Sequence, residues 1–296
     1  MFVKRIDSDR VVIGAPAKLN LFLEVLERRP DGYHNINSLF QTVSLFDRMK
    51  VTKGTGSGID LQLIGSSAGI GALDDNLVTK AYRLMAEKFD AVRGIRVELE
   101  KNIPIGAGLG GGSSDAAATI LACNLLFDLR LSRDQMARMG IRIGADLPFF
   151  FGRGQALVSG RGEIVRDIEL PTDYWIVLIT PSFQVSTAAS YAQLDLGLTV
   201  AREPFSLPSC RTADELIGSL ALAGNDFEAN HLVSYPEIRK VRDWLLARRA
   251  LLARMSGSGP TVFGIYLAAP ETEQDNVEGW GDWRLHTVRP ITLGTY

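Results

Sequence analysis

A glycine-rich segment is the part of the chain whose composition most directly suggests chemistry. Five of the seven residues from Gly106 to Gly112 are glycine, and Ser113 and Ser114 follow them. The backbone can approach a ligand closely at glycine because no side chain intervenes. The alternation from Ile95 to Leu99 predicts a strand before the segment, and an alanine-rich stretch predicts a helix after it. Free N–H groups and the positive end of that helix would bind phosphate.

Two other interpretations of the segment are open. A plain structural turn needs only two or three glycines, which is fewer than the chain supplies. Gly106, Gly108 and Gly111 formally satisfy GxGxxG, but dinucleotide binding also needs a second strand ending in an acid about 20 residues later. Asp128 lies instead in a leucine-rich helical stretch, directly before a capping box at Ser132. The P-loop pattern fails because no lysine follows the glycines. ATP phosphate is therefore preferred.

Phosphoryl transfer usually needs a carboxylate to accept the hydroxyl proton, and Asp146 is the candidate. It stands among apolar residues between positions 143 and 150, where its solvation must come from a specific partner. Lys18, in an apolar strand pattern, is the natural partner, and Asn20 would share its strand face. The alternatives are a cap before Pro148 for Asp146, an outward-facing lysine for Lys18 and a turn cap for Asn20.

Length, charge and cysteine content exclude several classes of protein. The 296 residues suggest two domains, and 32 basic against 34 acidic residues leave no cationic excess for nucleic acid. Cys123 and Cys210 lie far apart, without the neighbours of a disulfide framework or a zinc site. The first residues reach charges too early for a signal peptide, and no apolar run approaches about 20 residues. We expect a cytoplasmic protein with no membrane partner.

Local patterns predict the elements that position these residues. Asn76 should cap one helix, and a capping box at Ser132 should open another that ends at Gly140. Apolar runs predict strands at 19–26, 43–45, 49–51, 174–180 and 261–267. A second domain should begin between Gly160 and Pro171.

Three segments, in this order along the chain, resemble the three motifs of the GHMP kinase superfamily: 16–23, 104–118 and 255–263. The segment from Arg28 to His34, together with Gly110 to Asp115, resembles the branch that phosphorylates 4-diphosphocytidyl-2-C-methyl-D-erythritol. The resemblance implies an α+β fold in two lobes with a cleft between them. An ATP domain would span residues 1–163 and a substrate domain residues 164–296.

The resemblance also implies a role for each candidate residue. Lys18 and Asp146 would be catalytic, with Asp146 as the base. ATP would lie on the glycine-rich segment, which comprises Pro104, Ile105, Gly106, Ala107, Gly108, Leu109, Gly110, Gly111, Gly112, Ser113 and Ser114. The small-molecule substrate would contact Asn20, Tyr33, His34, Thr187 and Tyr191. Tyr33 would stack on cytosine, with Tyr191 as a second stacking face.

The expected reaction transfers phosphate from ATP to the 2-hydroxyl of the cytidylyl substrate, in the non-mevalonate route to isoprenoid precursors. Mg²⁺ should accompany ATP, with no protein ligand assigned. Another role for Ser113 and Ser114 is to cap a helix beginning at Asp115. Other possible substrates are homoserine, mevalonate or a sugar, and another class is a non-catalytic nucleotide sensor. The oligomeric state is left open.

Overall fold

Two long antiparallel strands form the base of the fold in the computed structural model, which describes residues 1–65, 73–194, 203–271 and 282–294. Strand β2 spans Arg10–Arg28 and strand β3 spans His34–Lys53. The strands predicted at 19–26, 43–45 and 49–51 lie inside them, but their predicted lengths are wrong. The β2–β3 pairing shifts register between Pro16 and Ala17, and such an irregularity tolerates the missing N–H of proline without ending the strand.

Among the described residues these strands belong to a seven-stranded sheet with the order β1-β2-β3-β5-β4, in which β6 pairs with both β3 and β7. Its other strands are β1 (Phe2–Arg5), β4 (Ile59–Ile64), β5 (Ile95–Glu100), β6 (Gln155–Gly160) and β7 (Ile164–Asp167). The β4–β5 pair is parallel. Strand β5 ends at Glu100, and the glycine-rich segment begins at Pro104, so the segment follows closely after this sheet.

Three helices accompany this sheet: α1 (Leu77–Lys88), α2 (Gly111–Leu126) and α3 (Arg133–Gly140). The Asn76 side chain caps α1 by accepting from the Val78 N–H at 2.9 Å. Ser132 and Gln135 form the predicted capping box of α3. Both predicted helix starts are therefore confirmed.

A second, four-stranded sheet, again counted over the described ranges, has the order β11-β8-β10-β9. Its strands are β8 (Trp175–Thr180), β9 (Leu252–Met255), β10 (Val262–Tyr266) and β11 (Arg284–Val288). The accompanying helices are α4 (Thr187–Gln193), α5 (Ala213–Leu220), α6 (Glu228–Ser234) and α7 (Pro236–Ala247). The predicted α+β class is confirmed. The division at residues 163 and 164 stays a prediction; the first sheet continues to Asp167.

The two sheets share an apolar core. Leu19 and Leu21 from β2 are buried in one cluster with Ile176 and Leu178 from β8 and Phe263 from β10. Each fully buried aliphatic or aromatic side chain contributes about 1.5–3 kcal/mol. This packing fixes the position of β2 against the second sheet. No helix among the described residues has the length and apolar character needed to cross a bilayer.

Lys101, directly after β5, holds the entry to the glycine-rich segment. Its ammonium pairs with the buried carboxylates of Asp47 in β3 and Asp115 in α2, the latter at 2.7 Å. Asp47 also accepts from the Asn102 and Ile103 N–H groups at 2.6 and 2.8 Å. Burial first, and then the Asp47 charge, raise the pKa of Asp115 to about 8, against the opposing effect of Lys101. The Lys101 ammonium therefore connects strand β3 and helix α2 at the start of the glycine-rich segment.

We predict that Lys101→Met destabilises the protein by about 3–5 kcal/mol, because removing one partner of a buried ion pair leaves the buried Asp47 carboxylate uncompensated. Urea unfolding followed by circular dichroism measures the change. Lys50→Met is the matched control: its 2.8 Å pair with Glu98 lies on the same sheet but is one-third exposed, so it should cost less than about 1 kcal/mol. Equal losses in the two variants would contradict the prediction.

Candidate active site

A cavity of about 560 Å³ opens where elements of the two sheets meet. Lys18, Asn20 and Asp146 line it, together with the glycine-rich segment from Pro104 to Ser113. From the later part of the chain, Thr187, Tyr191 and Ser258 contribute to the wall. Most residues predicted to form the site are therefore brought together. Ser114, Tyr33 and His34 lie outside the lining of this cavity as described.

Glycine is required in the segment because its backbone packs against other parts of the wall. Gly106, Gly108 and Gly110 have φ values of +66°, +76° and +68°, which other L-residues rarely adopt. A Cβ on Gly108 would lie 2.1 Å from the Ser256 carbonyl oxygen. One on Gly110 would lie 2.9 Å from Cγ of Lys18. The segment thus packs closely against both Ser256 and Lys18.

Helix α2 begins at Gly111, so the prediction that a helix starts at Asp115 with Ser113 and Ser114 as caps is wrong. Gly110, in the left-handed conformation, is the N-cap and makes no side-chain capping bond. The chain can turn into the helix there because glycine tolerates a positive φ. Ser113 therefore lies in the first turn, where helix N–H groups have no partners within the helix. The Ser114 N–H already donates to the Gly110 carbonyl at 2.9 Å.

The hydroxyl of Ser114 is buried and has no hydrogen-bond partner among the described residues. Ser114 is fully buried and does not line the cavity, so its hydroxyl does not face a ligand there in this structure. The free N–H groups of the first turn give this end of the cavity the character of an anion site.

Lys18 and Asp146 form an ion pair at the cavity wall, with 3.2 Å between Nζ and Oδ2. Lys18 is 4% exposed and lies over the Phe40 ring at 4.5 Å, whereas the Asp146 side chain is 33% exposed. The lysine therefore does not face outward. Asp146 precedes the 3₁₀ helix Leu147–Phe151 but makes no side-chain capping bond to it, so the capping alternative is wrong.

Asn20 links the ion pair to the rest of the wall. Its Oδ1 accepts from Lys18 Nζ at 2.6 Å, and its Nδ2 donates to Ser38 Oγ at 2.9 Å. Its backbone N–H donates to Ser256 Oγ at 3.2 Å, and that hydroxyl donates to the Gly108 carbonyl at 3.0 Å. Asn20 is thus a hydrogen-bond partner of Lys18 as well as a lining residue; the sequence predicted a shared strand face for the two residues but not this bond.

The aromatic residues predicted to bind substrate gather beside the cavity. His34 and Tyr191 stack, with 5.0 Å between ring centroids and 13° between ring planes. Tyr33 is exposed, and the Arg161 guanidinium lies 4.8 Å from its ring centroid. Tyr191 therefore faces His34 in this structure. Burial, and then the Asp146 charge, raise the pKa of Tyr191 to about 12, so its hydroxyl stays protonated.

Thr187 begins helix α4, and its hydroxyl lies 2.8 Å from the Ser258 hydroxyl. The sequence analysis missed Arg161, Lys101 and Phe40, which also line the cavity. Arg161 stands between Gly160 and Gly162, both at positive φ, and a glycine on each side of a cation was the available signal. Nothing in the sequence pattern marked Phe40, an ordinary apolar strand residue.

Two family models match the chain. The model for the GHMP kinases N terminal domain matches residues 76–154, and the model for the GHMP kinases C terminal domain matches residues 208–280. A curated relative from Syntrophotalea carbinolica is 37% identical over 94% of this chain and 98% of its own length. The chain belongs to the GHMP kinase family. This GHMP kinase therefore uses ATP as its phosphoryl donor.

The relative from Syntrophotalea carbinolica is named 4-diphosphocytidyl-2-C-methyl-D-erythritol kinase. One of the same name from Moorella thermoacetica is 41% identical over 87% of this chain and 90% of its own length. A crystal structure of 4-(cytidine 5'-diphospho)-2C-methyl-D-erythritol kinase superposes with a TM-score of 0.73 at 33% identity, covering 94% of this chain and 99% of that one. A homoserine kinase from Cytophaga hutchinsonii has a TM-score of 0.69 at 17% identity, covering 99% and 98%, which shows a shared fold.

We predict that Gly108→Ala lowers the affinity of this GHMP kinase for ATP at least tenfold, because the methyl group would meet the Ser256 carbonyl at 2.1 Å in a strained conformation. Titration calorimetry with ATP and Mg²⁺ measures the affinity. Gly218→Ala in α5 is the control, since nothing lies within 4 Å of its Cβ position, and it should bind as the wild type does. Unchanged binding in Gly108→Ala would exclude the segment as the phosphate site.

Proposed function

We propose that this GHMP kinase transfers the γ-phosphoryl group of ATP to the 2-hydroxyl of 4-diphosphocytidyl-2-C-methyl-D-erythritol, a step in the non-mevalonate route to isoprenoid precursors. The observation that carries the proposal is the Lys18–Asp146 pair at 3.2 Å, in a cavity bounded on one side by the glycine-rich segment and on another by Tyr191. The names of the relatives from Syntrophotalea carbinolica and Moorella thermoacetica support this substrate.

Asp146 is the proposed base. It accepts the proton of the substrate hydroxyl while the oxygen attacks the γ-phosphorus of ATP, whose bond to the β,γ-bridging oxygen breaks so that ADP leaves. The partial exposure of Asp146 leaves its carboxylate accessible from the cavity. Lys18 holds the carboxylate in one orientation through the ion pair. The ammonium also stabilises negative charge on the transferring group, with greater effect because it is almost fully buried. This pair thus combines proton transfer with electrostatic stabilisation.

The glycine-rich segment fits the triphosphate of ATP. Gly108 and Gly110 leave no side chain between the backbone and a ligand, and the first turn of α2 directs N–H groups toward it. The hydroxyl of Ser113, which lines the cavity, adds a donor at the same helix end. We propose Mg²⁺ as the accompanying ion, which would neutralise phosphate charge. No group of three or more acidic, His or Cys side chains in the described ranges forms a metal site, so a protein ligand is not assigned.

The cytosine base is placed by this proposal beside the aromatic side chains of Tyr33, His34 and Tyr191, of which His34 and Tyr191 stack on each other. Burial, and then the Arg28 charge, lower the pKa of His34 below 6.5, so its imidazole is neutral near pH 7. Its Nε2 is buried without a hydrogen-bond partner among the described residues. A neutral ring can present either a donor or an acceptor to the edge of cytosine. Tyr33, held against Arg161, provides an exposed ring for stacking at the same place.

We predict that Asp146→Asn lowers kcat at least about a hundredfold, because loss of a general base typically costs 10²–10⁴ in rate. ADP release measured by a coupled assay gives kcat, and circular dichroism checks folding. Asp60→Asn provides the control. Asp60 in β4 forms an exposed ion pair with Arg96 in β5, outside the cavity, and its replacement should leave kcat unchanged. A folded Asp146→Asn enzyme with wild-type turnover would refute the assigned base.

A substrate panel decides which alcohol is phosphorylated. We expect ADP release with the cytidylyl substrate, and at least a hundredfold lower kcat/KM with homoserine, mevalonate or a sugar, because these offer no base to the His34–Tyr191 stack. The panel uses purified protein with ATP and Mg²⁺. Preference for another alcohol would overturn the substrate assignment while leaving the family intact. ATP binding without ADP release on any alcohol would instead favour a nucleotide sensor.

A further inference from the structure

One buried asparagine outside the Lys18–Asp146 pair makes three hydrogen bonds to the backbone behind the cavity. Asn225 is 5% exposed. Its Nδ2 donates to the carbonyl oxygens of Met255 and Gly257, each at 2.8 Å, and its Oδ1 accepts from the Phe227 N–H at 3.0 Å. These bonds tie Asn225 to the turn formed by residues 256–259, here called the Gly257 turn.

We propose that Asn225 is a positioning residue for phosphoryl transfer, which it supports by holding the Gly257 turn against the Lys18–Asn20 strand. The proposal rests on the proposed function, since it concerns the alignment of the same ion pair. Asn225 does not line the cavity as described, so it acts through its neighbours and touches no reacting atom.

The backbone around Asn225 is itself fixed to strand β2. The Leu23 N–H donates to the Gly224 carbonyl, and the Asp226 N–H donates to the Leu23 carbonyl, both at 2.9 Å. The Asp226 carboxylate accepts from the Val25 N–H at 2.7 Å. Leu23 lies three residues beyond Asn20 on the strand that carries Lys18. Asn225 therefore takes its position from the same strand that positions the ion pair.

The Gly257 turn packs directly on the residues that hold Lys18. A Cβ on Gly257 would lie 3.2 Å from Asn20 Oδ1, the atom that accepts from Lys18, and 3.3 Å from the Gly108 carbonyl oxygen. The neighbouring Ser256 hydroxyl accepts from the Asn20 N–H and donates to Gly108. A displacement of this turn therefore moves Asn20, and with it the lysine, and loosens the packing of the glycine-rich segment.

The same stretch of chain also contacts the helix that carries Tyr191. The Phe227 ring lies edge-on to the Tyr191 ring, with 4.9 Å between centroids. In α6, the His231 Nε2 lies 3.0 Å from the Ser190 hydroxyl of α4. Residues 225–231 thus contact strand β2, which carries Lys18, as well as the Gly257 turn and the Tyr191 ring.

Only a primary amide satisfies all three bonds of Asn225. Two carbonyl oxygens require two N–H donors, and the Phe227 N–H requires an acceptor on the same short side chain. An aspartate keeps the shape and the acceptor but turns a carboxylate oxygen toward two carbonyl oxygens. Such an arrangement is repulsive and leaves buried acceptors unsatisfied. Asn225→Asp is therefore a nearly isosteric test of the donor pair.

We expect Asn225→Asp to lower kcat at least tenfold and to raise KM for ATP by a smaller factor, since the turn holds Asn20 and the ion pair, whereas the glycine-rich segment is also held by helix α2. Hydrogen exchange followed by mass spectrometry should show faster exchange in peptides covering residues 255–261 than in the rest of the chain. The matched control is Asn124→Asp. The Asn124 amide likewise donates to and accepts from backbone, at the Leu131 carbonyl and N–H, but lies away from the cavity.

Asn124→Asp should keep kcat within twofold of the wild type. If Asn225→Asp does not fold, Asn225→Ala carries the same comparison, because it removes both donors without adding a charge. A folded Asn225 variant with wild-type kcat overturns the proposal, and so does a kcat loss accompanied by faster exchange over the whole chain. If the wild type does not phosphorylate the cytidylyl substrate, the proposed function fails; the exchange experiment and kcat on the alcohol preferred by the panel still decide the role of Asn225.

Discussion

The buried positive charge of Lys18 is the constraint on which the site depends. An ammonium removed from water costs several kcal/mol unless partners replace its hydration. Here Asp146, the Asn20 amide oxygen and the Phe40 ring surround it, and they come from a 3₁₀ helix junction and two neighbouring strands. The charge therefore requires β2, β3 and the start of the 3₁₀ helix after Asp146 to meet at one point. The same requirement brings the Asp146 carboxylate to the cavity.

Close backbone packing supplies the second condition. The glycine-rich segment and the Gly257 turn approach each other until a single methyl group at Gly108 would overlap a carbonyl oxygen. Neither segment alone forms the wall; each limits where the other can lie. Because Ser256 bonds to both Asn20 and Gly108, the phosphate side and the ion pair share one hydrogen-bonded frame. A displacement of the glycine-rich segment therefore also affects Asn20 and, through it, the Lys18–Asp146 pair.

Much of this site could be predicted from local sequence, and the reason differs from residue to residue. Glycine spacing reveals where the backbone needs positive φ, so the segment at 106–112 was identifiable at once. The Asn76 and Ser132 caps depend on residues within three positions, and they too were predicted correctly. The start of α2 was placed too late, because consecutive glycines have low helix propensity, whereas the structure needs glycine at Gly111, where a Cβ would lie 2.9 Å from the Ile103 side chain.

Apart from the Lys18–Asp146 pair, contacts between distant residues were beyond the sequence pattern, and Asn225 shows why. Its value to the site comes from carbonyl oxygens about 30 residues later in the chain and from a strand some 200 residues earlier. Backbone carbonyls carry no side-chain identity, so no pattern of residue types marks them as acceptors. The stacking of His34 on Tyr191 is hidden in the same way, since each ring alone looks like an ordinary turn or helix residue. A site assembled from both sheets depends on such long-range hydrogen bonds, and residues such as Asn225 that do not contact the reacting atoms hold its catalytic residues in place.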